Sequence, residues 1–144
     1  MSKPFSPPYR EMAEFRYQLR RFLRFSELAA RAARLQPQHY LLLLELRGLP
    51  AEVRPTVGAL AERMQLRHHS LVGLADRLER RGLIARVRDE RDRRQILLRM
   101  TPRGGRVLRR LAQHHRDALA LVGPRLGRAL RAVLHSSRGA GRRG

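Results

Sequence analysis

Six consecutive charged residues, Asp89-Glu90-Arg91-Asp92-Arg93-Arg94, stand between two short alternating segments. A plain turn at that place would use glycine or asparagine. A guanidinium offers a planar fork of donors that fits phosphate oxygens and base edges in two places at once. Arg94, beside Arg93, is the first candidate contact. A narrow A·T-rich minor groove concentrates the negative potential that attracts such a group. Asp92 is expected to hold Arg94 or Arg86 by a charge-assisted bond and so support the loop. A second set, Arg67, His68, His69, Ser70, Val72 and Gly73, opens a helical stretch, with Arg77 one turn later. Residues at the start of a helix can reach base edges, and arginine there favours guanine through O6 and N7. Gly73 brings no side chain to that face and lowers helix propensity by ~1 kcal/mol relative to alanine.

The elements that must position these groups are legible from periodicity. Met12, Phe15, Leu19, Phe22, Ser26, Ala29 and Ala33 recur in steps of three and four, so a long helix is expected from Arg10 to about Leu35. Pro37 suits the first position of a helix running through Gln38–Arg47. Thr56 caps or precedes a short helix, Val57–Met64, and Gln65–Arg67 turn the chain into a second helix, His68–Arg81, ended by Gly82. Ile84–Arg88 and Gln95–Met100 alternate as paired strands. After Thr101-Pro102 another long helix begins, which Gly123-Pro124 is expected to break before a last segment, Arg125–Leu134. The fold class that follows is mainly α with a small β-hairpin wing: a winged helix-turn-helix flanked by N- and C-terminal dimerisation helices. The boundaries read as a flexible arm over residues 1–9, dimerisation helices over 10–36 and 102–135, the DNA-binding module over 37–101, and a disordered basic tail over 136–144. The first helix is apolar on more than one side and calls for a second packing partner, most economically another copy of the chain.

Lys and Arg total 32 against 12 Asp and Glu, a formal net charge of +20, and Lys3 is the only lysine. Beyond Asp92 only Asp117 is acidic, against fourteen arginines. This balance favours a polyanionic partner, here double-stranded DNA. There is no cysteine, which excludes disulfides and thiolate metal sites. No apolar run approaches the roughly 20 residues that span a bilayer, and the N-terminus lacks a secretory signal, so no membrane partner and a cytoplasmic location are expected. No cofactor is expected either.

The segments LAERMQL, SLVGLADRLERRGLIAR and DERDRRQILLRMTPRG resemble the MarR (multiple antibiotic resistance regulator) family of winged-helix transcription factors. The similarity in element order runs from about Glu11 to Leu134, and its specific part joins LADRLERRGLIAR (74–86) to Asp92-Arg93-Arg94 through Gly104. The resemblance implies a dimer whose two modules grip successive major grooves, a wing arginine at Arg94, a recurrent arginine at Arg77 and a small hydroxyl at Ser70. Gly73 departs from it, since relatives often carry a larger polar or basic residue there. The resemblance further implies repression of a nearby gene and release by a small aromatic or anionic effector. A pocket for such an effector would draw on Arg16, Tyr17, Phe22, His39 and Tyr40, where guanidinium or imidazole meets a carboxylate and aromatics line the cavity.

The paired histidines read differently. His68-His69 suit DNA contact or plain surface. Of His114-His115 one should face the helix stripe and the other solvent, and adjacent positions cannot clamp one metal unaided, so no metal site is expected. No nucleophile–base pair, phosphate-cradling glycine loop or carboxylate cluster marks an enzyme. The alternative function is a sequence-indifferent architectural or RNA-binding protein using the same basic surface.

Overall fold

The computed structural model describes residues 6–138. Most of the basic tail and the first five residues of the arm therefore lie outside the described residues. The order of elements is α1 (Tyr9–Ala32), α2 (Pro37–Gly48), α3 (Val57–Met64), α4 (His68–Arg80), β1 (Ile84–Arg88), β2 (Ile96–Met100) and α5 (Pro102–Arg138). Two compact units emerge along the described chain: residues 29–113 form one, and residues 6–28 with 114–138 form the other.

In the first unit, the hydroxyl of Thr56 accepts a hydrogen bond from Ala59 N (3.1 Å) and so caps α3. Gln65 ends α3 in the left-handed region (φ 54°), its side-chain amide donating to the Glu62 carbonyl at 2.8 Å. That local bond supplies what a glycine would otherwise provide, and it turns the chain into α4. Gly82, at φ +70°, makes the next turn. Thr101 then fixes the start of α5: its hydroxyl accepts from Gly104 N (3.0 Å) and donates to the Gly82 carbonyl (2.6 Å). A Cβ at Gly104 would lie 2.0 Å from the Leu83 carbonyl oxygen, so only glycine allows this first turn to press on the α4–β1 connection.

The strands pair antiparallel, Ile84 opposite Met100 through Arg88 opposite Ile96. Thr56 bridges to Leu97 on the other edge of β2. Leu42, Leu43, Leu60, Leu71, Leu74, Leu78, Ile84, Leu98 and Leu111 are all less than 2% exposed and form the centre of the core. Each element thus contributes one apolar face to a single interior, which holds the unit rigid.

Three expectations need correction. The first helix stops at Ala32 and not near Leu35, because Arg34 adopts φ 59° while Leu35 N bonds back to the Ala30 carbonyl (2.9 Å). The last helix is not broken at Gly123-Pro124; α5 runs through Pro124 to Arg138. Proline there gives up one backbone bond and crowds the preceding turn, at about 3 kcal/mol. Gly123 leaves that turn free of side-chain crowding, and Ala118 and Ala129 are buried on either side of it. For the same reason residues 136–138, expected in the tail, are helical.

Candidate nucleic-acid interface

α4 turns Leu71, Leu74, Ala75 and Leu78 into the core. Its other side leaves His68, His69, Asp76 and Arg77 exposed, with Ser70, Val72 and Gly73 half-buried and Arg67 exposed at the cap. The buried leucines fix the rotation of this helix, so the outward residues are held on a rigid element.

At the hairpin tip, Asp92 Oδ1 accepts from Arg94 N (3.1 Å) and from Arg94 Nε (3.4 Å). The Arg94 side chain is otherwise 94% exposed. Arg93 is exposed, and its carbonyl accepts from Arg88 Nη1 at 3.0 Å. Of the two partners expected for Asp92, the structure gives it Arg94.

Arg86 goes elsewhere. Its Nη2 donates to Asp76 Oδ1 (2.6 Å) and its Nη1 to Glu79 Oε1 (2.8 Å), while its backbone N–H reaches Glu79 Oε2 (3.0 Å). Burial alone would lower the pKa of this guanidinium, but the bonds to Asp76 and Glu79 outweigh it and raise the value. Physically, one arginine from β1 bridges two carboxylates of α4, offsets part of their charge and ties the helix to the hairpin.

Sequence reasoning missed Asp89. It is buried, forms an ion pair with Arg54, accepts from Arg91 N at 3.0 Å through Oδ1, and its own N–H bonds the Gln95 carbonyl (3.0 Å). Arg54 Nη1 also reaches Gln95 Oε1 at 3.3 Å. This clamp closes the root of the loop as Asp92 closes its tip. A signal was present: Asp-x-Arg occurs twice in DERDRR, and both times the Asp accepts from the N–H two residues on.

His68 and Val72 of α4, Arg86 of β1, Arg94, Gln95 and Ile96 of the wing, and Thr56–Gly58 at the start of α3 line one cleft of about 430 Å³. The structure therefore brings the first residues of α4 and the wing arginine to a common opening.

The residues expected to line an effector pocket are divided between the two units. His39 and Tyr40 are buried in the winged unit. His39 Nδ1 lies 3.3 Å from the N–H of Gln36, which caps α2, and its Nε2 has no partner. Burial first, then the charges of Arg81 and Arg77, hold its pKa below the ordinary 6.5. Arg16 and Tyr17 are exposed and Phe22 half-buried in the other unit. Tyr17, carrying Arg21 over its ring at 5.8 Å, lines a groove of about 480 Å³ with Arg20, Arg21, Arg24, Phe25 and Leu28. Arg16 and Phe22 do not line it. His115 is buried against Ser26 Oγ (2.6 Å) and the edge of Phe25, while His114 is exposed. Among the described residues no group of three or more His, Asp or Glu side chains could hold a metal, and no helix is long and apolar enough to cross a membrane.

Residues 35–95 match the sequence model of the MarR family. The transcriptional activatory protein BadR of Rhodopseudomonas palustris is 45% identical over 71 residues, 45% of this chain and 41% of that protein, so the match spans less than half of the relative's length. Among solved structures, a MarR family protein from Bacillus stearothermophilus superposes with a TM-score of 0.63 at 27% identity, over 93% of this chain and 99% of the other. CouR from Rhodococcus jostii RHA1, bound to p-coumaroyl-CoA, does so with a TM-score of 0.60 at 28% identity, over 68% and 67%.

Proposed function

Because the chain belongs to the MarR family of winged-helix proteins, we propose that it is a homodimeric DNA-binding transcriptional regulator, without enzymatic activity, that recognises a pseudo-palindromic operator. The observation that carries this reading is the shared cleft. The start of α4 (exposed His68, half-buried Val72) and a wing arginine (Arg94) border it together, on a unit held by a continuous core. The first residues of α4 enter a major groove, and Arg94, oriented by Asp92, enters the adjoining minor groove. Arg67, His68, His69, Ser70, Gly73 and Arg77 form the reading surface, with Arg93 beside Arg94. Arg86 supports it by offsetting part of the charge of Asp76 and Glu79 that would repel phosphate.

Dimerisation is supported by what the terminal-helix unit leaves uncovered. Tyr9, Met12, Leu23, Leu119, Leu121, Leu130 and Leu134, outside the Tyr17 groove, are each at least 40% exposed there. A second copy covers such a surface, and two winged units then meet half-sites roughly 10 bp apart. BadR is an activator; for this chain we propose repression, and a promoter–reporter fusion reads the sign directly. The aromatic and guanidinium side chains of the Tyr17 groove suit an aromatic anion as effector; the ligand of CouR, p-coumaroyl-CoA, joins an aromatic acyl group to a much larger anionic coenzyme. Such an effector is expected to release the operator.

The test is selection of genomic fragments by the purified protein, followed by titration of the enriched duplex and a scrambled one. Preference for the enriched duplex is expected, with affinity falling steeply as salt rises, and Arg94→Ala should bind about tenfold or more weakly. Equal affinities for both duplexes would overturn the reading in favour of a sequence-indifferent protein.

A further inference from the structure

Six glycines lie between residues 29 and 113, and three have a reason inside the chain. Gly82 needs its positive φ, Gly104 faces the Leu83 carbonyl, and Gly105 is crowded by the Arg47 guanidinium, 3.2 Å from where a Cβ would lie. Gly48, the last residue of α2, stands in open space but does not line the cleft between α4 and the wing. Gly58 and Gly73 also have none. A Cβ at Gly58 would meet nothing within 4 Å, and one at Gly73 would meet only Arg77 Nη2 at 3.8 Å, an ordinary contact. Neither has a positive φ, and both stand inside helices, where glycine is less stable than alanine. The chain itself would tolerate, and its helices would gain from, a methyl group at either place.

The two positions share a location. Gly73 lies one turn from exposed His69 on one side and from exposed Arg77 on the other, with the Arg77 guanidinium folded back toward the bare backbone. Gly58 is exposed on α3 and lines the cleft that His68 and Arg94 border. We propose that Gly58 and Gly73 are clearance positions for the bound duplex, an inference that rests on the DNA-binding reading above. At Gly73 the backbone of α4 comes close to the base edges of the major groove, with Arg77 lying along the helix to reach its neighbour. At Gly58 the same closeness lets the sugar–phosphate strand pass between α3 and the wing. A methyl group at position 73 would hold the helix off the bases, which carry the sequence. A methyl group at position 58 would obstruct the strand, which carries none.

Gly73→Ala and Gly58→Ala separate this from any structural role, because stability and binding should move in opposite directions. Both variants of the full chain are expected to melt a few degrees higher than the parent. Gly73→Ala should lose about tenfold in affinity for the enriched genomic duplex and much less for the scrambled one, so that discrimination narrows. Gly58→Ala should lose affinity for both duplexes alike. Unchanged affinities beside raised melting temperatures would overturn the proposal, and so would a lowered melting temperature, which would assign the glycines to the fold. Equal losses on both duplexes at position 73 would overturn its base-edge role. Failure of the underlying reading looks different: the parent protein itself would then show no preference for the enriched duplex.

Discussion

The two units of this chain solve the burial problem in opposite ways. The winged unit encloses nine large aliphatic side chains below 2% exposure. Among the described residues of the terminal-helix unit, the only buried side chains are Gln18, His115, Ala118 and Ala129. Gln18 even leaves its Oε1 without a partner, while Leu121 is 80% exposed. A unit with a finished interior can hold a precise surface by itself. One whose apolar groups remain outside gains stability only when something covers them. The contrast places a finished interior and an uncovered apolar surface on different stretches of one chain; in the proposed function the first meets DNA and the second a partner.

The strongest way to sharpen this contrast is truncation on each side of it. Leu71→Ala should cost about 2–5 kcal/mol, seen as a fall in the denaturation midpoint that does not depend on protein concentration. Leu121→Ala should cost less than about 0.5 kcal/mol at dilutions where the chain is monomeric, and more where it is dimeric. Wild-type stability that is flat from nanomolar to high micromolar protein would erase the distinction.

Next in size is the consequence for DNA. Leu121→Glu should shift the chain to monomer in sedimentation equilibrium. It should also weaken operator binding about hundredfold, since two linked winged units gain that much from acting together. Full affinity from a monomeric variant would break the link between the units.

A smaller loss is expected within the winged unit at the wing root. Asp89→Ala leaves Arg54 and the Arg91 N–H without their buried acceptor, at about 1–3 kcal/mol. Hydrogen exchange at Arg91 and Gln95 should accelerate and operator affinity fall, while α4 keeps its protection. Wild-type exchange in the loop would show that the clamp is dispensable.

The smallest effect is one of pH. His39 has a folded pKa below its ordinary value of 6.5, because burial disfavours the cation and Arg81 and Arg77 repel it. The unfolded chain therefore binds a proton first. The contribution of His39 to stability is whole above pH 6.5 and is lost as pH falls through the folded pKa. His39→Gln keeps an acceptor for the Gln36 N–H and removes the titration. Denaturation midpoints of this variant should vary less with acidification than those of the parent; parallel curves would place the dependence elsewhere.

Much of the fold and of the candidate site was legible beforehand, and the reasons are local. Leu71, Leu74, Ala75 and Leu78 repeat at helical spacing, so the rotation of α4 and its outward residues followed directly. Thr56 announced the start of α3, and Gly82 the turn before β1. The Asp92–Arg94 pair was readable because its partners are two residues apart. The choice between Arg94 and Arg86 as partner of Asp92 stayed open, because Asp76 and Glu79, seven to ten residues away from Arg86, reach it only after α4 and β1 have folded together.

What the sequence determined by itself is therefore whatever depends on neighbours along the chain: helical periodicity, caps, turns, the charge of the loop and the surplus of arginine. The tertiary structure alone decided which charges cancel, that Asp89 would be buried with Arg54, and that a proline could be carried inside α5. It also decided that His39 and Tyr40 belong to the core of the winged unit and Tyr17 to a surface groove. The physical reason is that an ion pair or a buried polar group is fixed by distance and dielectric surroundings, and packing sets both across separations that no local pattern encodes.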